Sequence, residues 1–276
     1  MNLHALVVAL ALAAAAAAQA QRSASSVAPE PVPPSPPGAI AFTPPDPGTI
    51  PNLPLGDMIQ FGRDVFVYTQ KYAKKYVGNG LNCVNCHLDA GRLANSAPLW
   101  AAYVAYPAFR TKNMQINTFE QRLEGCFRYS MNGTMPPADS AVVVGLISYA
   151  FWLATGAPVG AQLAGRGFPA VPEPAQKPDV KRGAADYATH CAACHGDKGQ
   201  GLKADGVYTF PPLWGRDSYN AGAGMHRVAT AAAFIKANMP MGQGGTLTDQ
   251  QAWDLAAFVN SHPRPKDPRG RTPPSQ

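Results

Sequence analysis

The pattern Cys-x-x-Cys-His occurs twice in the chain, as Cys83-Val84-Asn85-Cys86-His87 and again as Cys191-Ala192-Ala193-Cys194-His195. Two thiols and an imidazole at this spacing are the attachment site of a c-type haem: each thiol adds across a haem vinyl group, and the histidine ligates the iron from the proximal side. Two copies in one chain call for two haem c groups. A fold carrying them has to build two cores, each around a large, covalently held apolar group.

The chain opens on an alanine-rich apolar run from Leu3 to Ala18, followed by the small-residue pattern Ala18-Gln19-Ala20. This reads as a secretory signal peptide over 1–20 and places the mature protein in the periplasm, where the thioether bonds of bacterial c-type cytochromes are made. The only later apolar stretch of note, Ala138 to Leu153, is interrupted by Asp139, Ser140, Gly145 and Ser148 and is too short for a membrane span. A core helix is the expectation there. The formal charge of +6 carries over to the mature chain, because residues 1–20 hold no Lys, Arg, Asp or Glu. That surplus favours anionic substrates or acidic partners weakly, and no nucleic-acid partner is expected.

Prolines crowd a leader over 21–54, which reads as a tether or a strap laid over the first domain, and a second proline-bearing stretch covers 158–178. They divide the chain into lobes at 55–157 and 179–262, with a tail at 263–276. Both lobes follow one plan. In the first, Met58, Phe61, Val65, Tyr68, Tyr72 and Tyr76 recur at spacings of three and four before Cys83, and Ser140 to Leu153 closes the lobe with Val143, Leu146, Ile147, Ala150 and Leu153 on one side. In the second, Lys181 to Tyr187 precedes the haem motif and contains Gly183, which admits a crossing helix. The segment Thr248-Asp249-Gln250-Gln251 is a capping box ahead of the closing helix. The pattern resembles an all-α fold of two tandem class I cytochrome c domains.

A low-spin haem c needs a distal ligand, ordinarily a methionine close to a proline before the last helix. In the second lobe Met239-Pro240 occupies that place, with Met241, Met225 and His226 as competitors. In the first lobe Met135-Pro136 is the match by spacing, but the motifs consume only four of the five cysteines and leave Cys126 over. Arg122 and Arg128 flank that thiol, a cationic setting that favours thiolate and anion binding. Cys126 and Met135 both stand as candidates for the sixth ligand of the first iron.

The block Arg122-x-x-x-Cys126-Phe127-x-x-Ser130-x-Asn132-Gly133-x-Met135-Pro136 resembles the periplasmic dihaem thiosulfate dehydrogenases that form tetrathionate. The likeness continues through Pro211-Pro212-Leu213-Trp214-Gly215, Ser218 to Met225, and Ala232 to Pro240. The resemblance implies a first, catalytic haem with His87 and Cys126 as axial ligands, and a second with His195 and a methionine that passes electrons outward; by position Met239 is the choice, and a c-type cytochrome is the natural acceptor. Some members carry a lysine just before this Met-Pro; Asn238 stands there instead, and Lys236, two positions off, reads as a solvated surface residue. Joining two thiosulfate dianions requires fixed cations, for which Arg122, Arg128, Arg110 and Lys112 are candidates, while Ser130, Asn132 and Gln115 can donate neutral hydrogen bonds. Arg92, just after the first motif, is balanced between the substrate and a haem propionate. The same parts serve tetrathionate reduction. The main rival is a dihaem electron carrier with no substrate, in which Met135 ligates the first iron and Cys126 is dispensable.

Overall fold

A computed structural model describes residues 34–270 apart from Lys112, together with Val32. The expected signal peptide, Lys112 and residues 271–276 lie outside the described residues. The molecule is mostly helical. Its larger hydrophobic core gathers side chains from Ile59 to Leu163 and takes in Tyr219 and Ala223 from the second half, and smaller clusters form around Tyr187, Leu247, Leu255 and Val259 and around Ala231, Ala232 and Ala256.

The first core is organised by α1 (Pro54–Val67) crossing the later helix Ala141–Leu153. The crossing is glycine on glycine: a Cβ added at Gly62 would run into the Gly145 carbonyl. The long aromatic stripe expected before Cys83 is not one helix. α1 stops at Val67 because Tyr68 leaves helical geometry (φ −118°, ψ 51°), and its buried face is Ile59, Gly62, Val65 and Phe66, so Tyr68 is exposed. Val65 of the expected stripe is fully buried and Phe61, Tyr72 and Tyr76 pack against the core, but periodicity alone missed Gly62, whose contact adds nothing to an apolar stripe and turns the helix toward Ile59 and Phe66.

Downstream lie α2 (Leu99–Val104), α3 (Phe119–Gly125) and α4, the Ala141–Leu153 helix. Ser140 caps α4, its Oγ accepting from Val143 N–H, and Val143, Leu146, Ala150 and Leu153 are buried along it. In the second half α5 (Val180–His190) crosses α7 (Asp249–Ser261), with α6 (Val228–Asn238) packed against α7. A Cβ at Gly183 would collide with the Asp254 carbonyl, so this crossing too depends on a glycine. At the start of α7 Thr248 and Gln251 exchange reciprocal side-chain to backbone hydrogen bonds of 3.2 and 3.0 Å, the predicted capping box.

The all-helical expectation needs correcting at two hairpins. β1 (Ala108–Arg110) pairs antiparallel with β2 (Gln115–Asn117), and β3 (Leu202–Ala204) pairs with β4 (Val207–Phe210). The second hairpin turns through Asp205-Gly206, both at positive φ. Asp-Gly between short runs is a two-residue hairpin signal, outweighed in the sequence by the haem motif just before it.

Residues 34–54 run along the first half. Ile40 exchanges backbone hydrogen bonds with Gln162 and Ala164, Phe42 packs on Trp100 with ring centroids 5.3 Å apart, and Pro45 O accepts from Arg92 Nη1. The proline-bearing stretch after α4 also packs inward: Leu163 is in the first core, and the carbonyls of Gly165 and Gly167 accept from Asn95 and Ala97 N–H.

Candidate active site

Short-range hydrogen bonds hold the first Cys-x-x-Cys-His segment in place. Thr69 is fully buried behind it, its Oγ1 accepting from Cys83 N–H at 3.1 Å and lying 3.4 Å from Cys83 Sγ. Ser96 Oγ accepts from Leu88 N–H and donates to Cys86 O. His87 Nδ1 is 2.6 Å from Ala97 O. A carbonyl partner requires the proton on Nδ1, which leaves the Nε2 lone pair free for a metal. Ala97, at φ 47°, is itself held by the bond from its N–H to Gly167 O. The second proline-bearing stretch therefore orients the histidine through one intermediate residue. Burial pushes the Cys83 and Cys86 thiols up to about 12, as expected for neutral sulfurs in an apolar wall.

Cys126 reaches the same place from the other side. Reciprocal bonds between Thr118 and Gln121 start α3, which continues into a π turn, Cys126–Ser130. Arg122, one helical turn before the cysteine, points Nη1 at Cys126 Sγ, 3.1 Å away, and the His87 ring lies within hydrogen-bonding reach of the same sulfur. Burial opposes ionisation of this thiol most strongly, yet in the protein alone the pull of Arg122, joined by a His87 ring donating from Nε2, outweighs it and brings the thiol down to about 7; a metal on Nε2 would take away the His87 part. The thiolate in turn raises the Arg122 guanidinium above its ordinary value.

Cys83, Cys86, His87 and Cys126 share one cleft of about 210 Å³ between α2, α3 and the π turn. Phe66, Leu81, Leu99, Phe119, Leu123 and Phe127 give it apolar walls; Arg110, Arg122 and Arg166 also line it, and among the described residues that line it none is Asp or Glu. The other sequence candidates divide. Ser130 lines the cleft. Arg128 is exposed, its guanidinium 5.8 Å from the Tyr129 ring, and Asn132 faces the second half, its Oδ1 accepting from Asn220 Nδ2; neither lines the cleft. Gln115 sits exposed on β2, and Met135 packs against the core outside the cleft. Arg92 is spent on Pro45 O and Asp89. Arg166 was missed because its stretch reads as a linker; only its charge between two glycines marked it.

The second motif repeats the proximal device with less enclosure. His195 Nδ1 lies 2.9 Å from Pro211 O, again freeing Nε2, while burial pushes the Cys191 thiol up to about 11 and Cys194 is exposed. Met239 is half-buried at the end of α6. Beside it Asn238 is buried and donates to Asn95 O of the first half at 3.0 Å. Met241 is 62% exposed, and Met225 packs against the first core. Lys236 is not a solvated surface residue: it is fully buried, with Nζ 2.7 Å from Leu247 O and 3.1 Å from Asp249 Oδ1. The turn from α6 into α7 folds over it and supplies both partners.

Residues 178–259 match the family model described as cytochrome c oxidase, cbb3-type, subunit III. The thiosulfate dehydrogenase of Stutzerimonas stutzeri is 57% identical over 232 residues, covering 84% of this chain and 76% of that protein. The chain belongs to the thiosulfate dehydrogenase family. Another family member, from Allochromatium vinosum, is 42% identical over 241 residues, covering 85% of this chain and 89% of its own. Among solved structures, that of the thiosulfate dehydrogenase TsdBA from Marichromatium purpuratum, as isolated, matches with a TM-score of 0.80 at 52% identity. That match covers 83% of this chain, which spans 50% of the TsdBA chain. Membership in a cytochrome c family implies haem c, and the residues fit it: two buried neutral thiols, a histidine with a free Nε2, and an apolar cleft between them and Cys126. Among the described residues no helix is long and apolar enough to cross a membrane.

Proposed function

We propose that the protein is a periplasmic dihaem enzyme of two tandem cytochrome c domains that joins two thiosulfates into tetrathionate. Cys83 and Cys86 would attach the first haem, with His87 and Cys126 as the residues that would hold its iron; Cys191 and Cys194 would attach the second, held by His195 and Met239. The haems supply one-electron acceptors, and an external c-type cytochrome takes the electrons onward.

The observation that carries this reading is a thiol 3.1 Å from the Arg122 guanidinium, which favours its ionised form, in a cleft lined among the described residues by three arginines and no acid. Two dianions repel, and guanidinium groups offset that repulsion while offering paired donors to sulfonate oxygens. Cys126 acts as the nucleophile. Its thiolate and the sulfane sulfur of one thiosulfate form a sulfur–sulfur bond as two electrons leave the pair. A second thiosulfate then attacks the bound sulfane sulfur, which yields tetrathionate and returns the Cys126 thiolate to Arg122. No proton moves, so the site needs no general base.

Replacing Cys126 by glycine tests the reading. The variant is expected to keep both haems, to lose thiosulfate oxidation by about 10³-fold or more, and to lose the His/thiolate signal in low-temperature electron paramagnetic resonance. Full activity in Cys126→Gly, or two His/Met signals in the parent protein, identifies an electron carrier instead.

A further inference from the structure

Asn220 is fully buried and belongs to the second half of the chain, yet its amide packs on the turn that carries Cys126. That turn is wide: Met131 N–H donates back five residues to Cys126 O at 2.9 Å. The wide turn leaves its carbonyls without the usual helical partners, and each finds a donor elsewhere. Cys126 O takes Met131 N–H and Phe127 O takes Gly133 N–H at 2.8 Å. Arg128 O accepts from Asn220 Nδ2 at 2.9 Å, Tyr129 O accepts from Asn220 N–H at 3.1 Å, and Ser130 O accepts from Asn79 Nδ2 at 2.8 Å. A single residue of the second half thus supplies two of the five donors. Asn220 Nδ2 also donates to Asn132 Oδ1 at 3.1 Å, and its Oδ1 accepts from Gly222 N–H at 2.9 Å.

A π turn holds one more residue than an α turn, so collapsing it rotates its Cys126 end against its Ser130 end by about 100°. The carbonyls that Asn220 engages lie in the middle of the turn, where that rotation would be absorbed. We propose that Asn220 is a positioning residue for the reaction: it holds the π turn open from the second half and so keeps Cys126 Sγ in the cleft beside Arg122 and His87. The proposal rests on the reading of Cys126 as the reacting thiol and iron ligand.

Alkylation of Cys126 by iodoacetamide in the dihaem holoprotein, followed by mass spectrometry, tests it. In Asn220→Ala the rate is expected to rise about tenfold or more, the scale of losing one or two hydrogen bonds. The His/thiolate resonance of the first haem is expected to split into several forms while that of the second stays sharp. A slower rate supports the clamp and overturns iron ligation by Cys126, because a free thiolate that drifts from its cations loses reactivity. An unchanged rate with unchanged resonances overturns the proposal. Asn238→Ala breaks a different bond between the halves, to Asn95 O, and is expected to leave Cys126 alkylation unaltered; an equal rise in both variants overturns specific positioning in favour of general loosening. Should Asn220→Ala fail to accumulate with both haems, Asn220→Ser, which keeps one donor, carries the same comparison.

Discussion

Around the first haem motif the histidine, both cysteines and Cys126 are half-buried and line one cleft with three arginines; around the second, Met239 is half-buried too, but Cys194 is exposed. On the proximal side the two are alike, each histidine tied through Nδ1 to a backbone carbonyl at 2.6 or 2.9 Å. The difference lies on the distal side. On the proposed reading, low solvent access would strengthen every charge interaction at Cys126, whereas the exposed Cys194 would leave the edge of a second haem open to a redox partner. The proximal device is shared, and the proposal assigns the difference in work to the residue that opposes each histidine.

The largest effect should come from removing the charge that makes the first site different. Arg122→Gln takes away the guanidinium 3.1 Å from Cys126 Sγ and leaves burial to push the thiol above its ordinary 9.0. Turnover is expected to fall about a hundredfold, the loss typical of deleting one charge-stabilising donor at a reacting atom. Arg122→Lys should recover part of it, since it restores charge without the fork. Steady-state kinetics on the dihaem protein check both; a Gln variant within threefold of the parent breaks the comparison.

Met239→Gly asks whether the second site only exports electrons. Reduction of the first haem by thiosulfate in a single turnover should proceed as in the parent, while multiple turnover slows and the weak sulfur-to-iron absorption near the red end of the ferric spectrum disappears. Persistence of that band transfers the ligand role to Met225 or Met241. Smaller again is Arg166→Gln at the cleft rim. An exposed charge contributes about 1 kcal/mol, so KM should rise roughly fivefold with kcat unchanged, and the gap should close at high salt. A fall in kcat instead would move Arg166 to the reacting atoms.

Much of this asymmetry was legible in the amino-acid sequence. The Thr248 capping box acts through near neighbours in sequence, Gly183 marks a helix crossing by its size alone, and the haem motifs and the spare Cys126 stand out by chemistry that single residues carry. What stayed hidden depends on contacts between distant segments. Arg166 lines the cleft because the bonds of Gly165 and Gly167 to Asn95 and Ala97 dock its stretch there. Lys236 looks solvated in a string of letters and is buried because α7 brings Asp249 to it. Arg128 and Asn132 sit beside Cys126 in sequence, yet the π turn directs one to solvent and the other to Asn220.

The smallest expected effect concerns acid. Among the described residues the first half holds one histidine, His87, which the iron would occupy; the second holds four, of which His195 would be occupied in the same way, His190 and His262 are not buried, and His226 has a buried Nδ1 with no hydrogen-bond partner. Burial lowers its affinity for a proton, Arg264 adds repulsion, and Asn260 offsets these in part, so it protonates below the usual 6.5. Above that value the ring is neutral in both folded and unfolded chains, and its contribution to stability is complete. As pH falls below 6.5 the unfolded chain takes up the proton first, and stability drops until the lower, folded value has been passed. The thermal midpoint of the holoprotein should therefore decline modestly between about pH 7.5 and about pH 5.5, with the second half leading the transition. His226→Asn should flatten that slope. If the slope survives the substitution, the acid sensitivity belongs elsewhere and the two halves are more alike in this respect than their histidines suggest.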